Sequence, residues 1–395
     1  MKNENLEKKL NPDSKPKKNE KLKGIIYKML MNFIEKRFKE LIVEGKENIP
    51  KEDYVIFAGN HAKLVDPLVF YYLIENIPMI ARDDFIDDLP LKGFPLKLKI
   101  FGKGWNSNNL LNNLLSWGFN SVPIKRGGIK LSQTKKCIKK FEENKKICSF
   151  PMGTRTTSGS IYDMYESSDK RNPGKLIDIL QRNICKPAKI IPFSLSYDET
   201  AMLGALTIGE PFKINTNNQK KKEEFYDYIR EDIMERIGNL TKVYGDSILA
   251  TIIMSAASGL KEGGYRHYMI TDSLMEVFKS VAERLDRHNR EIGPDSNKKI
   301  NLYEKLLSRE YRRNYLNSFL RWAENKKQIA GFDFYKGYLL YVDKIKKEPR
   351  KRMFLKKDVN MTYLYNKSRH LALLQEIVSE EISKNKGLIL SESIH

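Results

Sequence analysis

Tyr54-Val55-Ile56-Phe57-Ala58-Gly59-Asn60-His61-Ala62-Lys63-Leu64-Val65-Asp66-Pro67-Leu68-Val69-Phe70-Tyr71-Tyr72-Leu73-Ile74 is the stretch from which the rest of the chain can be read. Its apolar and β-branched start has the composition of a buried strand, and the mixed apolar run after Pro67 reads as a helix with proline in its first turn. Open α/β sheets place their chemistry at the carboxyl ends of strands, and His61 leaves such an end. The predicted fold class is therefore α/β, a parallel-rich central sheet flanked by helices, followed by a mostly helical C-terminal region.

Asp66 lies five residues beyond His61, at the mouth of the helix, so a short loop can turn its carboxylate back to the imidazole. A carboxylate on one ring nitrogen fixes the tautomer and leaves the other nitrogen to take a proton from a hydroxyl. A His/Asp pair without a serine makes the substrate hydroxyl the nucleophile, which points to acyl transfer to an alcohol. The same octet also suits a plain helix start, since aspartate before proline is a common N-cap. Three segments downstream add weight to the chemical reading.

Asn60 to Pro67 resembles the motif of histidine, four residues and aspartate in the glycerolipid acyltransferases, which acylate glycerol-3-phosphate or lysophosphatidic acid. The second block of that family ends in an arginine after a short strand, as Ser121-Val122-Pro123-Ile124-Lys125-Arg126 does here. Its third block usually reads Phe-Pro-Glu-Gly-Thr-Arg, against Phe150-Pro151-Met152-Gly153-Thr154-Arg155 in this chain. A fourth strand-like block with a proline is matched by Lys189 to Tyr197, so the likeness runs over residues 45–212.

The resemblance implies that His61 is the base and Asp66 its orienter, with Asn60, Arg126, Gly153, Thr154 and Arg155 binding substrate. A guanidinium can grip a phosphate bidentately, and a glycine turn exposes N–H groups to a phosphate or a developing oxyanion. The donor would be an acyl thioester carried by coenzyme A or acyl carrier protein, and no metal or redox cofactor is required. The acceptor expected is glycerol-3-phosphate, with 1-acylglycerol-3-phosphate as the alternative. Met152 stands where the family usually has glutamate, although the plastid-type glycerol-3-phosphate acyltransferases also lack it. A catalytically impaired protein that binds membrane or nucleic acid is the reading from a different class.

The 395 residues suffice for two domains, and 41% hydrophobic with 31% charged residues is a globular composition. A net charge of +21 calls for anionic partners, which lipid headgroups, phosphorylated substrates, an acidic carrier protein and nucleic acid all satisfy. No recognised nucleic-acid module stands in the sequence. Cys137, Cys148 and Cys185 lack the spacing of a disulfide framework or zinc site, which fits a reducing cytoplasm. With no run long enough to span a bilayer, the expected location is cytoplasmic and peripheral, on the inner face of the membrane.

Residues 1–23 read as a flexible basic tail, and residues 24–245 as the acyltransferase domain, opening with an amphipathic helix from Ile25 to Leu41. That helix suits either an anionic headgroup layer or packing on its own domain. Residues 246–395 form the C-terminal domain, with an apolar helix from Ser247 to Ala257, helices over Leu274 to Leu285 and Asn301 to Trp322, and a hairpin around Lys336-Gly337. Two helices and a hairpin resemble a winged helix. More loosely, Tyr363 to His370 resembles a helix in the region after the catalytic domain of larger glycerol-3-phosphate acyltransferases.

Overall fold

The computed structural model describes residues 28, 32, 34–51, 53–61, 63, 66–74, 77–82, 122–124, 131–151, 160, 173–184, 187–214, 222–258, 260, 265–292, 299–325, 340–341 and 361–393. Its strands are β1 (Glu40–Glu44), β2 (Val55–Gly59), β3 (Ile80–Arg82), β4 (Val122–Ile124), β5 (Lys146–Ser149), β6 (Lys189–Asp198), β7 (Leu203–Ile208), β8 (Tyr265–Met269), β9 (Leu340–Tyr341) and β10 (Ile389–Ser393). The helices are α1 (Asp66–Leu73), α2 (Leu131–Asn144), α3 (Pro173–Arg182), α4 (Lys222–Asn239), α5 (Gly245–Ser258), α6 (Thr271–Ile292), α7 (Arg309–Asn325), α8 (Met361–Ser368) and α9 (Ala372–Lys384).

The central sheet has the order β1-β7-β6-β2-β5, and only the β6-β7 hairpin is antiparallel. A parallel bridge between Met79 and Cys148 then carries β5 on to the parallel pair β3-β4. The apolar run of β2 has a direct cause: Val55 and Phe57 enter one core, Ile56 and Ala58 the other, so a strand covered on both faces has no polar side. The parallel-rich sheet flanked by helices is the predicted one.

One face is covered by α1 together with Ile34 and Phe38. Phe70 of α1 stacks on Phe193 with ring centroids 4.5 Å apart and meets Phe57 edge-on at 5.5 Å. Burial of side chains this size is worth about 1.5–3 kcal/mol each, so α1 is held mainly by its apolar residues. The other face is covered by α2, α3 and α4 through Cys137, Phe141, Ile177, Leu180, Ile229 and Ile233. Two glycines are required by space: a Cβ on Gly59 would lie 2.1 Å from the Phe193 ring, and Gly45, at φ 74°, would bring one 2.0 Å from the Ile208 carbonyl oxygen.

Of the amphipathic segment, residues 34–37 are helical, and buried Ile34 and Phe38 pack on the sheet core, so this end of it serves its own domain. The C-terminal helices enclose a second core around α5, which is buried continuously from Gly245 to Ile253. That core takes in Leu203 and Ala205 of β7, so the region after residue 245 shares apolar side chains with the sheet. Lys242 and Asn301 meet Glu44 and Thr207 in a polar joint beside it. Burial works against the Glu44 charge, but the ammonium of Lys242 outweighs it and holds the carboxyl below its usual value.

Two sequence expectations need correction here. The single helix expected from Asn301 to Trp322 is a 3-10 turn over Glu304–Leu307 and then α7, divided where Ser308 is extended and its Oγ accepts the Tyr311 N–H at 3.4 Å as an N-cap. The C-terminal region, read as helices and one hairpin, also carries a three-stranded sheet in the order β10-β8-β9, all antiparallel. The turn of the expected hairpin, Lys336-Gly337, lies outside the described residues, as does the basic tail of residues 1–23. Among the described residues no helix is long and apolar enough to cross a membrane.

Candidate active site

The carboxyl end of β2 releases the chain into Asn60 and His61, and α1 begins at Asp66. His61 Nδ1 lies 3.1 Å from Asp66 Oδ2. The carboxylate is wholly buried, whereas the imidazole retains 16% of its exposure. Asp66 Oδ2 also accepts the Lys63 backbone N–H at 2.6 Å, and Oδ1 accepts the Tyr197 hydroxyl at 2.5 Å. Burial, and then the Asp66 charge beside it, push the Tyr197 phenol well above its ordinary value, so it keeps its proton and donates.

These donors leave a carboxylate with fixed orientation and acceptor character towards the ring. That arrangement favours the histidine proton on Nδ1 and directs acceptor character to Nε2, the disposition a general base requires. The ring packs against Phe150, with centroids 5.0 Å apart, and Phe150 in turn meets Phe193 edge-on at 5.8 Å. The short turn does double work, as the Asp66 N–H donates to the Lys63 carbonyl at 3.1 Å and starts the helix while its side chain faces His61.

Around the dyad lies a cluster of buried and part-buried charge. Lys63 Nζ pairs with Glu199 and sits 4.3 Å from the centroid of the Tyr197 ring. Burial opposes the Glu199 charge, but the cations of Lys63, Lys367 and Arg37 outweigh it and hold the carboxyl below its usual value. Lys367 of α8 donates to the Tyr197 carbonyl and, at 2.9 Å, to Asp246 Oδ2. Asp246 Oδ2 also accepts the Glu199 N–H at 3.0 Å. Asp198, next in line, accepts the Tyr315 hydroxyl at 2.7 Å.

The geometry brings together His61 and Asp66, as the sequence predicts. Asn60 is placed differently from the substrate-binding role expected of it. Its Nδ2 donates to the Leu195 carbonyl at 2.9 Å and its Oδ1 accepts the Leu195 N–H at 2.7 Å, so the carboxamide ties the loop after β2 to β6. Arg126, Gly153, Thr154 and Arg155 lie outside the described residues, as does Met152. The strands that precede them, β4 and β5, run parallel within the same array as β2 and end on the same side.

Sequence reasoning missed Tyr197 and Lys63 as partners of Asp66. The signal for Tyr197 was available, since Ile191, Phe193, Leu195 and Tyr197 alternate onto the face that also holds Phe57 and Phe70. For Lys63 the useful group is its backbone N–H, which no side-chain pattern reports.

The acyltransferase family model matches residues 40–196, the segment that contains His61, Asp66 and all but one residue of their hydrogen-bonding shell. A 1-acyl-sn-glycerol-3-phosphate acyltransferase of Borreliella burgdorferi is 28% identical over 122 residues, 30% of this chain and 41% of that protein. The match thus spans about two fifths of that relative's length. The 1-acyl-sn-glycerophosphate (LPA) acyltransferase PlsC of Thermotoga maritima aligns in its crystal structure with a TM-score of 0.35 and 18% identity, over 60% of this chain and 87% of that one. The family match over the segment that holds the dyad, together with the curated relative, supports the glycerolipid acyltransferase family for this chain.

Proposed function

We propose that the chain is an O-acyltransferase of phospholipid biosynthesis that moves a fatty acyl group from a thioester to the free hydroxyl of 1-acylglycerol-3-phosphate. The observation that carries the chemistry is the dyad itself, a part-exposed His61 backed by a wholly buried Asp66 at a strand end. The curated relative's name supports the acceptor.

His61 Nε2 takes the acceptor's hydroxyl proton as the oxygen attacks the thioester carbonyl. The C–O bond forms, the tetrahedral intermediate collapses with loss of the C–S bond, and the imidazolium returns its proton to the departing thiolate. Asp66 keeps the ring in its working tautomer and stabilises the transient cation. Arg126 and Arg155 are assigned to the acceptor phosphate, Gly153 and Thr154 to the oxyanion or phosphate. The donor is carried by coenzyme A or acyl carrier protein, and the protein works at the inner face of an anionic membrane.

Glycerol-3-phosphate is the second reading. It is supported by α8 and the turn after it, which carry the Tyr363 to His370 likeness to larger glycerol-3-phosphate acyltransferases, α8 setting Lys367 against Tyr197. The test crosses both acceptors with acyl-coenzyme A and acyl carrier protein donors and reads the products by mass spectrometry. Diacylated product from 1-acylglycerol-3-phosphate is expected. Monoacylated product from glycerol-3-phosphate alone would reverse the acceptor, and no product from any pair would overturn the activity.

A further inference from the structure

Among the described residues the Asp66 carboxylate has two hydrogen-bonding partners besides His61, the Tyr197 hydroxyl and the Lys63 N–H, and both residues are braced from the C-terminal region. Tyr197 is buried, its ring stacks on Phe38 with centroids 5.4 Å apart, and its carbonyl accepts a hydrogen bond from Lys367. Lys63 is paired with Glu199, whose backbone N–H is held by Asp246, the other partner of Lys367. Lys367 stands on α8, 170 positions along the chain from Tyr197 and well beyond the segment that the acyltransferase family describes.

We propose that Tyr197 and Lys367 are positioning residues of the dyad, Tyr197 acting on His61 through Asp66 and Lys367 of the C-terminal helix acting through Tyr197. A hydroxyl on Oδ1 fixes the plane of the carboxylate and draws charge away from the oxygen that faces the imidazole. Without that hydroxyl the carboxylate turns more freely and presents more charge to the ring. The imidazolium is then favoured, and the base is lost to protonation at a higher pH. Without Lys367 the Tyr197 carbonyl loses its charged donor, and the same hydroxyl bond lengthens. The kinetic consequence rests on the function proposed above; the effect on the ring does not.

The test is a histidine-selective NMR titration of the full chain. It has five histidines, and His61 is assigned with a His61→Gln variant. In Tyr197→Phe, which keeps the ring and its stack, the midpoint of the His61 titration should rise by about half to one pH unit. Lys367→Met should move it in the same direction by less, Lys367→Arg should restore part of the change, and the double variant should fall short of the sum of the two. A His61 titration unchanged by Tyr197→Phe overturns the proposal. Additivity in the double variant overturns the part assigned to Lys367, because a mere loss of positive charge would add.

Acyl transfer is measured on the same samples. A fall in kcat of about 10–100-fold with KM nearly constant is expected for Tyr197→Phe, the cost of a misplaced base. If His61 responds as described while the wild-type chain acylates neither acceptor, the positioning stands and the proposed reaction falls.

Discussion

Asp198→Asn should stabilise the protein at alkaline pH, and the size of the effect follows from what surrounds the carboxyl. Asp198 is buried at the end of β6, where burial and then the charge of Asp246 push its pKa up from an ordinary 3.8 to about 7, against the donors Tyr315 and Ala201 and the cation Lys367. The folded chain therefore holds a proton that the unfolded chain releases. Its contribution is fully present below the unfolded value and is lost as pH rises through about 7. The rise from 3.8 to about 7 takes about 2–3 kcal/mol of stability from the folded chain between pH 5 and 8. Asparagine removes the charge and keeps an oxygen for the N–H groups of Thr200 and Ala201, which lie 2.9 and 2.8 Å from Asp198 Oδ1. Its Nδ2 can donate to the Tyr315 oxygen. Allowing about 1 kcal/mol for the weaker hydrogen bonds, the variant should exceed wild type by roughly 1–3 kcal/mol at pH 8 and match it near pH 5. Urea unfolding followed by circular dichroism at pH 5, 6, 7 and 8 measures the difference. A difference that does not change with pH would refute the reasoning, as would a variant less stable than wild type at pH 8.

Asp66→Asn should lower kcat by about 10³–10⁴-fold, because an amide N–H beside Nδ1 selects the tautomer that carries its proton on the working nitrogen; steady-state rates at saturating donor check this. Gly59→Ala should destabilise by about 1–3 kcal/mol, since its methyl would displace the Phe193 ring, and Gly59→Ala combined with Phe193→Leu should recover part of the loss in urea melts. Removal of residues 1–27 should weaken sedimentation with anionic vesicles, and high salt should do the same to the full chain, because the screening length falls to about 3 Å at 1 M. Salt-insensitive binding that survives the truncation would assign membrane contact to another surface.

The α/β sheet was legible because β2 is apolar at every position, which only a strand covered on both faces can be. His61 and Asp66 were legible because a short loop closes on itself, so their spacing in sequence nearly fixes their spacing in space. Tyr197 and Lys367 were not, since the contacts that matter join residues 131 and 170 positions apart. The Asn60 contact was hidden for a related reason: its neighbour in sequence is His61, but its partner in space is the Leu195 backbone. The short strand β8 escaped notice because Tyr265-Arg266-His267-Tyr268-Met269 mixes charged and aromatic residues, and its pairing with β10 spans more than a hundred residues.

The most direct test of the central claim is acyl transfer by a folded His61→Ala chain. His61 sits at a strand end with its ring partly exposed, so the substitution should leave the circular dichroism spectrum and the urea midpoint close to those of wild type. With acyl thioester and 1-acylglycerol-3-phosphate supplied together, mass spectrometry should find product with the wild-type chain and at most background with the variant. Transfer at the wild-type rate by the folded variant would contradict the account, because no other group described at the end of β2 is placed to take the hydroxyl proton.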